Sequence, residues 1–431
     1  MNIAIISLGC AKNLIDSELF LGLSKKYGLN ITNDLSQADF IVINTCGFIA
    51  ASKKESIETI FEMLDYQNLG KKIIVMGCLV ERYLDSLKDE IPEVDHFIPI
   101  RDYDHLDLVF NTLLNTTEKF DFDYTNRIIS TPNKTAYLRI GEGCNNKCHY
   151  CAIPLIRGSY RSRSFESLME EVEYLHSLGI LELTIIAQDT TAYGSDLNNM
   201  SLAKLLDAIA TLNYFKWIRV LYLYPDEITD ELIETFKKHD SILNYFDIPI
   251  QHASNKLLQN MNRRGTKEYI RFLINKIRNV IPNSIIRTTL IVGYPTETEK
   301  DFKELLSFVE EIKFEHLGAF TYSPEEDTVG FDLRPRVSRK VAERRLEQLM
   351  NAQLTINSAR LSTLIGKTYQ AIIDKYDPEL NCYLARYFGQ ALDDVDGYIY
   401  LFDNDAILSV GDFVDIEITG FEGYDLIGKL K

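Results

Sequence analysis

The residues best suited to chemistry in this 431-residue chain are its seven cysteines, Cys10, Cys46, Cys78, Cys144, Cys148, Cys151 and Cys382. Three crowd into Gly143-Cys144-Asn145-Asn146-Lys147-Cys148-His149-Tyr150-Cys151, a C-x3-C-x2-C spacing. Thiolates this close on one loop can wrap one iron–sulfur cluster, and three ligands on a 4Fe–4S cluster leave its fourth iron open. Zinc is the rival, since a structural zinc takes four protein ligands and His149 is a nominal fourth. His149 is wedged against Cys148, however, which makes joint ligation awkward. A redox disulfide would leave one thiol over. The spacing therefore predicts an iron–sulfur site.

A second trio is dispersed. Ile3 to Ser7 is an apolar run ending in Leu8-Gly9-Cys10, Phe40 to Ile43 ends in Asn44-Thr45-Cys46-Gly47, and Lys72 to Met76 ends in Gly77-Cys78. A helical pattern follows each. Continuous apolar runs alternating with helices indicate a parallel α/β sheet, whose strand ends share one ligand-binding edge. Three thiols about 35 residues apart in sequence would then converge on a shared metal or cluster site. Any one of them alone would pass for a small buried residue. Cys382, isolated in the tail, reads as a packed thiol.

The elements that must position these residues fall into three units. The expected fold is α/β: a parallel α/β domain over residues 1–118, a partial (β/α)6 barrel over 130–360, and a small antiparallel β-barrel over 363–431. In the middle unit, strands are expected at Tyr137 to Ile140, Leu183 to Ala187, Ile218 to Leu223, Phe246 to Ile250, Ile285 to Val292 and His316 to Tyr322. Helices are expected at Glu166 to Leu178 and Thr266 to Val280. The tight trio follows the first strand and so lies at the C-terminal mouth, where such barrels carry their chemistry. A polar stretch from Asn115 to Lys134, with Pro132, marks the first boundary, and a long helix from Val337 to Leu364 leads to the tail. There, Thr368 to Ile373, Tyr398 to Phe402 and Asp412 to Ile418 read as short strands.

Composition narrows the function. At 46% hydrophobic and 25% charged residues the chain is globular, not disordered, and seven cysteines are too few for a disulfide framework. No run approaches the ~18 apolar residues of a membrane span, and the start reads as a strand, not a signal peptide. A cytoplasmic protein with reduced thiols is expected. The net charge is −17, which argues against a broad nucleic-acid surface and favours a basic partner.

Across essentially its whole length the chain resembles the radical S-adenosylmethionine (SAM) methylthiotransferases. The resemblance is carried by Ser7-Leu8-Gly9-Cys10-Ala11-Lys12-Asn13, Asn44-Thr45-Cys46-Gly47-Phe48-Ile49, Ile186-Ala187-Gln188-Asp189-Thr190-Thr191, Leu221-Tyr222-Leu223-Tyr224-Pro225 and Tyr322-Ser323-Pro324-Glu325-Glu326, with a TRAM-like tail. The wording is nearer to members that modify a ribosomal protein than to those that modify transfer RNA. Asp327 departs from the family, which usually has Gly there.

The resemblance implies two 4Fe–4S clusters, on Cys144, Cys148 and Cys151 and on Cys10, Cys46 and Cys78. The first would bind and cleave S-adenosyl-L-methionine to give a 5′-deoxyadenosyl radical, and the second would carry the donated sulfur. It implies a methylthio group on the β-carbon of an aspartate in small-subunit ribosomal protein twelve. It also implies a flavodoxin- or ferredoxin-like electron donor and a sulfur donor.

Tyr150 is expected near the adenine, Gln188 and Asp189 as polar contacts to the cofactor, and Gly293 with Pro295 as a close backbone approach. An ordinary aromatic, a helix cap and a turn are the plainer readings of these. Arg157, Arg161 and Arg163 could clamp a carboxylate or form a solvated loop. His252 reads as a structural histidine.

Charge bears on the substrate. From Leu361 to Lys431 thirteen acidic residues stand against five basic ones. Such a barrel repels phosphates and steers in a basic ribosomal protein, so nucleic acid is not expected as the main substrate. The counter-signal is Arg334 to Arg345, with six Lys/Arg and one Glu, read as a solvated linker helix. A transfer-RNA methylthiotransferase with the same clusters is the first alternative. A non-catalytic metal-binding or RNA-binding scaffold is the second.

Overall fold

The computed structural model describes residues 1–120, 123–131, 134–392, 395–402 and 407–431. Pro132, the expected boundary marker, lies outside the described residues. No helix among the described residues is long and apolar enough to cross a membrane.

The first unit runs β1 (Asn2–Ser7), α1 (Ala11–Lys26), β2 (Asn30–Ile31), β3 (Phe40–Thr45), α2 (Ala50–Leu64), β4 (Lys72–Gly77), α3 (Cys78–Glu90), β5 (His96–Ile98) and α4 (Leu106–Leu114). Its five strands form a parallel sheet in the order β2-β1-β3-β4-β5. Strand β3 is buried along its whole length, which is why it reads as a continuous apolar run. Ser7 pairs with Asn44, Asn44 with Met76 and Thr45 with Gly77, so three neighbouring strands end level.

The second unit comprises β6 (Thr135–Arg139), β7 (Gly141–Glu142), α5 (Ile153–Arg157), β8 (Arg161–Ser162), α6 (Phe165–Ser177), β9 (Glu182–Ile186), α7 (Leu202–Thr211), β10 (Trp217–Val220) and α8 (Asp230–Lys238). It continues with β11 (Ile242–Asp247), α9 (Asn255–Asn260), α10 (Lys267–Val280), β12 (Ile285–Val292), α11 (Glu299–Ile312), β13 (His316–Thr321) and α12 (Val329–Asp332). Six parallel strands lie in chain order, β13-β12-β11-β10-β9-β6, and do not close. This is the open α/β barrel that the alternation predicts.

Two strands end three residues earlier than expected. β10 stops at Val220 because Tyr222 turns out of the ladder with φ +63°. β11 spans Ile242–Asp247 rather than Phe246 to Ile250. Pro249 has no N–H to continue the ladder, whereas Tyr245 pairs with Ile285 despite the polar Asn244 beside it.

Helix α13 (Arg339–Ser362) packs on α11 and β13 and leads into a closed five-stranded barrel: β14 (Thr368–Asp377), β15 (Cys382–Tyr387), β16 (Ile399–Leu401), β17 (Phe413–Glu422) and β18 (Asp425–Leu430). β15 and β18 escape a pattern search because Arg386 and Gly428 interrupt their apolar runs. Arg386 is fully buried, held by Glu182 of β9 at 2.7 Å and by Asp374 at 2.5 Å. Cys382 is buried with Leu384 and Tyr398. The turn after β15 inserts beside α1, where Leu392 packs with Ile15, Leu19, Tyr137 and Ile186.

Candidate active site

All six cysteines of the two trios line one cavity of about 580 Å³ between the first and second units. In the first unit each cysteine follows a strand: Cys10 caps α1, Cys46 follows β3 and Cys78 opens α3. One side chain ties the three turns together. Asn13 Nδ2 donates to the carbonyls of Leu8 (3.0 Å) and Thr45 (2.9 Å), and its Oδ1 lies 3.3 Å from Cys78 Sγ. Asn44 in turn donates to the Asn13 carbonyl at 2.8 Å.

The glycines beside these cysteines are demanded by space and backbone. Gly9 has φ +93°, and a Cβ there would sit 2.8 Å from Cys46 Cβ. Gly77 has φ +102°, and its Cβ would collide with Asn44 Oδ1 and lie 2.6 Å from the Thr45 carbonyl. Such turns suit glycine alone.

The C-x3-C-x2-C loop follows β6 and β7 and is clamped through its backbone. Cys144 N–H donates to Gly158 O at 3.1 Å, His149 N–H to Met261 O at 3.0 Å, and Gly330 N–H to His149 O at 2.6 Å. The His149 ring is anchored as well, with Nδ1 2.9 Å from the Asn260 carbonyl at the end of α9. Asp327, the departure from the family pattern, takes φ +63°, so the turn does require left-handed backbone and Asp supplies it.

The donor set fits a cationic cluster core. All seven thiols are free. Burial pushes the Cys78 thiol up to about 12, against the pull of Arg157 and with added repulsion from Cys10 and Cys46. Burial also pushes Cys151 to about 12, helped by the charges of Cys148 and Cys144, and Cys144 to about 11. These three thiols thus oppose their own ionisation until positive charge arrives, the condition under which metal binding expels protons. Among the described residues no three His, Cys, Asp or Glu side chains are grouped tightly enough for one metal ion. A multi-iron core asks for wider spacing than a single ion does.

Tyr150, Gln188 and Asp189 line the same cavity. Asp189 accepts from Asn146 of the cysteine loop (2.5 Å) and from Thr191 (2.6 Å). Burial, then repulsion by Glu227, raises its carboxyl to about 6 despite those bonds. Gln188 donates to Glu142. Gly293 is not among the lining residues. A Cβ there would come 2.5 Å from Ala342 Cβ of α13, and its N–H donates to the buried Glu297. His252 is fully buried beside Glu297, with Nδ1 accepting from Ser254 N–H at 2.9 Å.

Of the three arginines, only Arg157 reaches the cavity. It pairs with Asp16 of α1 at 2.8 Å and donates to Asn13 Oδ1 (2.7 Å) and Cys78 Sγ (3.3 Å). Arg139 pairs with Asp16 and Glu142. Burial raises the Glu142 carboxyl, but Arg157 and then Arg139 outweigh it and hold the group below its ordinary range. Arg163 turns away to Glu171, and Arg161 is exposed.

Lining residues that spacing alone does not single out are Lys12, Tyr222, Asp247, Gln251, Arg263 and Arg287. Tyr222 and Gln251 carry φ of +63° and +69°, backbone strain of the kind that clusters at functional sites. The Leu221-to-Pro225 and Pro249-to-His252 runs were the available signals.

An open parallel barrel with C-x3-C-x2-C after its first strand, facing a second trio across one cavity, defines a radical SAM enzyme with a further cysteine domain. Family models agree. The Radical SAM superfamily matches residues 138–309, the TRAM domain 365–430, and Uncharacterized protein family UPF0004 residues 2–99. Among solved structures the chain resembles the radical S-adenosylmethionine methyltransferase TsrM from Kitasatospora setae with cobalamin and a [4Fe-4S] cluster bound. The TM-score is 0.58 at 13% identity, over 77% of this chain and 76% of that one, and the likeness is one of fold. Ribosomal protein uS12 methylthiotransferase RimO of Clostridioides difficile (strain 630) is 46% identical over 100% of this chain and 99% of its own length. The protein of that name from Aquifex aeolicus (strain VF5) is 43% identical over 100% and 97%. The chain belongs to the radical SAM methylthiotransferase family.

Proposed function

We propose that this protein places a methylthio group on the β-carbon of an aspartate in ribosomal protein uS12. The observation that carries the reading is the single cavity lined by both cysteine trios, because sulfur delivery and hydrogen removal must act on the same carbon. Cys144, Cys148 and Cys151 would hold one 4Fe–4S cluster, and Cys10, Cys46 and Cys78 a second. When bound, these clusters supply the electron that splits SAM into a carbon radical and a seat for the donated sulfur.

The chain's own residues do the positioning. Tyr150, packed on Leu257, Met261 and Tyr294, offers a wall for the adenine, while Gln188 and Asp189 offer polar edges for the rest of SAM. Arg157 locks α1, and with it Cys10, against the core.

The substrate reading rests on charge as well as on relatives. The acidic chain suits a basic ribosomal protein, and of the cations of Arg334 to Arg345 only Arg345 is buried, the others lying exposed. Arg345 pairs with Glu297 at 3.1 Å, Arg344 with Glu299 at 3.2 Å and Arg339 with Glu343 at 2.6 Å, while Arg336 donates to the Phe331 carbonyl at 2.6 Å. The product contains an added sulfur and each cleavage consumes an electron. A sulfur donor and a flavodoxin- or ferredoxin-like reductant therefore complete the reaction, in the cytoplasm where ribosomes form. Mass spectrometry of small-subunit uS12 with and without the enzyme, beside methylthioadenosine in total transfer RNA, tests the reading. A methylthio increment on uS12 is expected, and its absence with a rise in modified adenosine overturns the proposal.

A further inference from the structure

Four cations line the cavity: Lys12, Arg157, Arg263 and Arg287. Three are committed. Arg157 pairs with Asp16, and Arg287 pairs with Asp247 at 2.9 Å. Arg263 donates to Pro249 O at 2.6 Å, stacks 3.9 Å from the Tyr224 ring centroid and reaches towards Cys148 Sγ at 3.8 Å. Lys12 differs. The residue as a whole is 7% exposed, and among the described residues its Nζ has no carboxylate and no hydrogen-bond partner. The ammonium rests instead 3.1 Å above the centre of the Tyr222 ring. The ring is held by a built support: Tyr222 takes φ +63°, and its N–H donates to Asp247 Oδ2 at 3.0 Å.

A cation left on an aromatic face is attracted by the ring, yet this one lines the cavity with no anion beside it. It also stands at the seam. Lys12 is two residues after Cys10 in the first unit, and Tyr222 follows β10 of the second. Resting on the proposed reaction, we infer that Lys12 Nζ receives the side-chain carboxylate of the target aspartate. That carboxylate is bonded directly to the β-carbon, so anchoring it fixes the reacting C–H between the two trios, the positioning that most lowers such a barrier. It also makes the site selective, because an amide in the same place would leave the cation unpaired. The same contact offered to the carboxylate of SAM is the competing source, and the experiment separates the two.

The test uses anaerobically reconstituted enzyme and uS12 carrying either its target aspartate or asparagine there. Wild-type enzyme is expected to bind the aspartate form about tenfold tighter, the size of one charge-assisted hydrogen bond. Lys12→Met, whose unbranched chain can still lie on Tyr222, should bring the two forms within about twofold, and Lys12→Arg should restore most of the preference. SAM affinity and the basal 5′-deoxyadenosine formed without uS12 should stay level in all three, which also reports that the variants fold. If Lys12→Met keeps the full aspartate preference, or weakens SAM binding while the preference stays, the inference is overturned. Wild-type enzyme that leaves uS12 unmodified would instead refute the proposed reaction, so the two failures are distinguishable.

Discussion

Glu325 offers the most direct test of whether the two trios must be held face to face. It lies in the Tyr322-to-Glu326 run after β13 and crosses to the first unit, where its Oε2 is 2.8 Å from Arg82 Nη1 and 2.9 Å from Lys53 Nζ. Side-chain exposures of 2% for Glu325 and 4% for Arg82 make this a buried pair. Tyr83 donates to Glu326 at 2.7 Å alongside. Removing one partner of a buried pair costs about 3–5 kcal/mol, because the other charge is stranded. Lys53 is 19% exposed and regains water, so the lower end, about 3 kcal/mol, is the fair figure for Glu325→Ala. That is a docking constant about 150-fold smaller. SAM cleavage needs only the core and should persist, while methylthio product per 5′-deoxyadenosine should fall. Hydrogen exchange in α2 and α3, read beside that product ratio, checks both halves. Unchanged exchange together with an unchanged ratio would refute the reasoning.

Other expected outcomes follow from the same geometry. Reconstituted wild-type protein should hold about eight irons; Cys46→Ala should lose about half and keep 5′-deoxyadenosine formation, whereas Cys148→Ala should lose about half and abolish it. Gly77→Ala should displace the turn that presents Cys78, cutting iron content at the first-unit trio more than it lowers the melting temperature. Burial holds the His316 imidazole down at about 4 against the pull of Asp396, while the unfolded chain takes that proton near its ordinary 6.5. The unfolded state therefore binds more protons between those values, so this contribution is intact above about pH 6.5 and lost towards pH 4. The loss approaches about 3 kcal/mol, and His316→Asn should flatten that pH dependence in hydrogen exchange of the tail barrel.

Much of this architecture is legible in the sequence because parallel strands buried on both faces read as apolar runs. β1, β3 and β4 announce themselves, and their cysteines follow at the ends that share an edge. Boundaries fail where one residue overrides the pattern, as with the left-handed turn at Tyr222 or the missing N–H of Pro249. β15 is hidden because Arg386 breaks the apolar alternation, and only its buried partners, distant in sequence, explain how it lies inside. The cavity's polar lining is harder still. Lys12, Arg157 and Arg263 look like any surface cation until the fold shows which of them water has left.

The contacts around α1 show why buried charge sits between units that could have met on an apolar face. Asn13 and Asp16 are one turn apart, so both face the core, and both bind Arg157; Asp16 also binds Arg139, and Glu18 binds Arg127. Buried pairs of this kind contribute less to stability than well-packed apolar side chains would. What they supply is register: sliding α1 by one residue would separate every pair at once. Because Cys10 caps that helix and Lys12 lies in its first turn, the register of α1 sets where a sulfur carried by the first trio meets a carbon presented to the second. An apolar seam would tolerate a slip that this chemistry cannot.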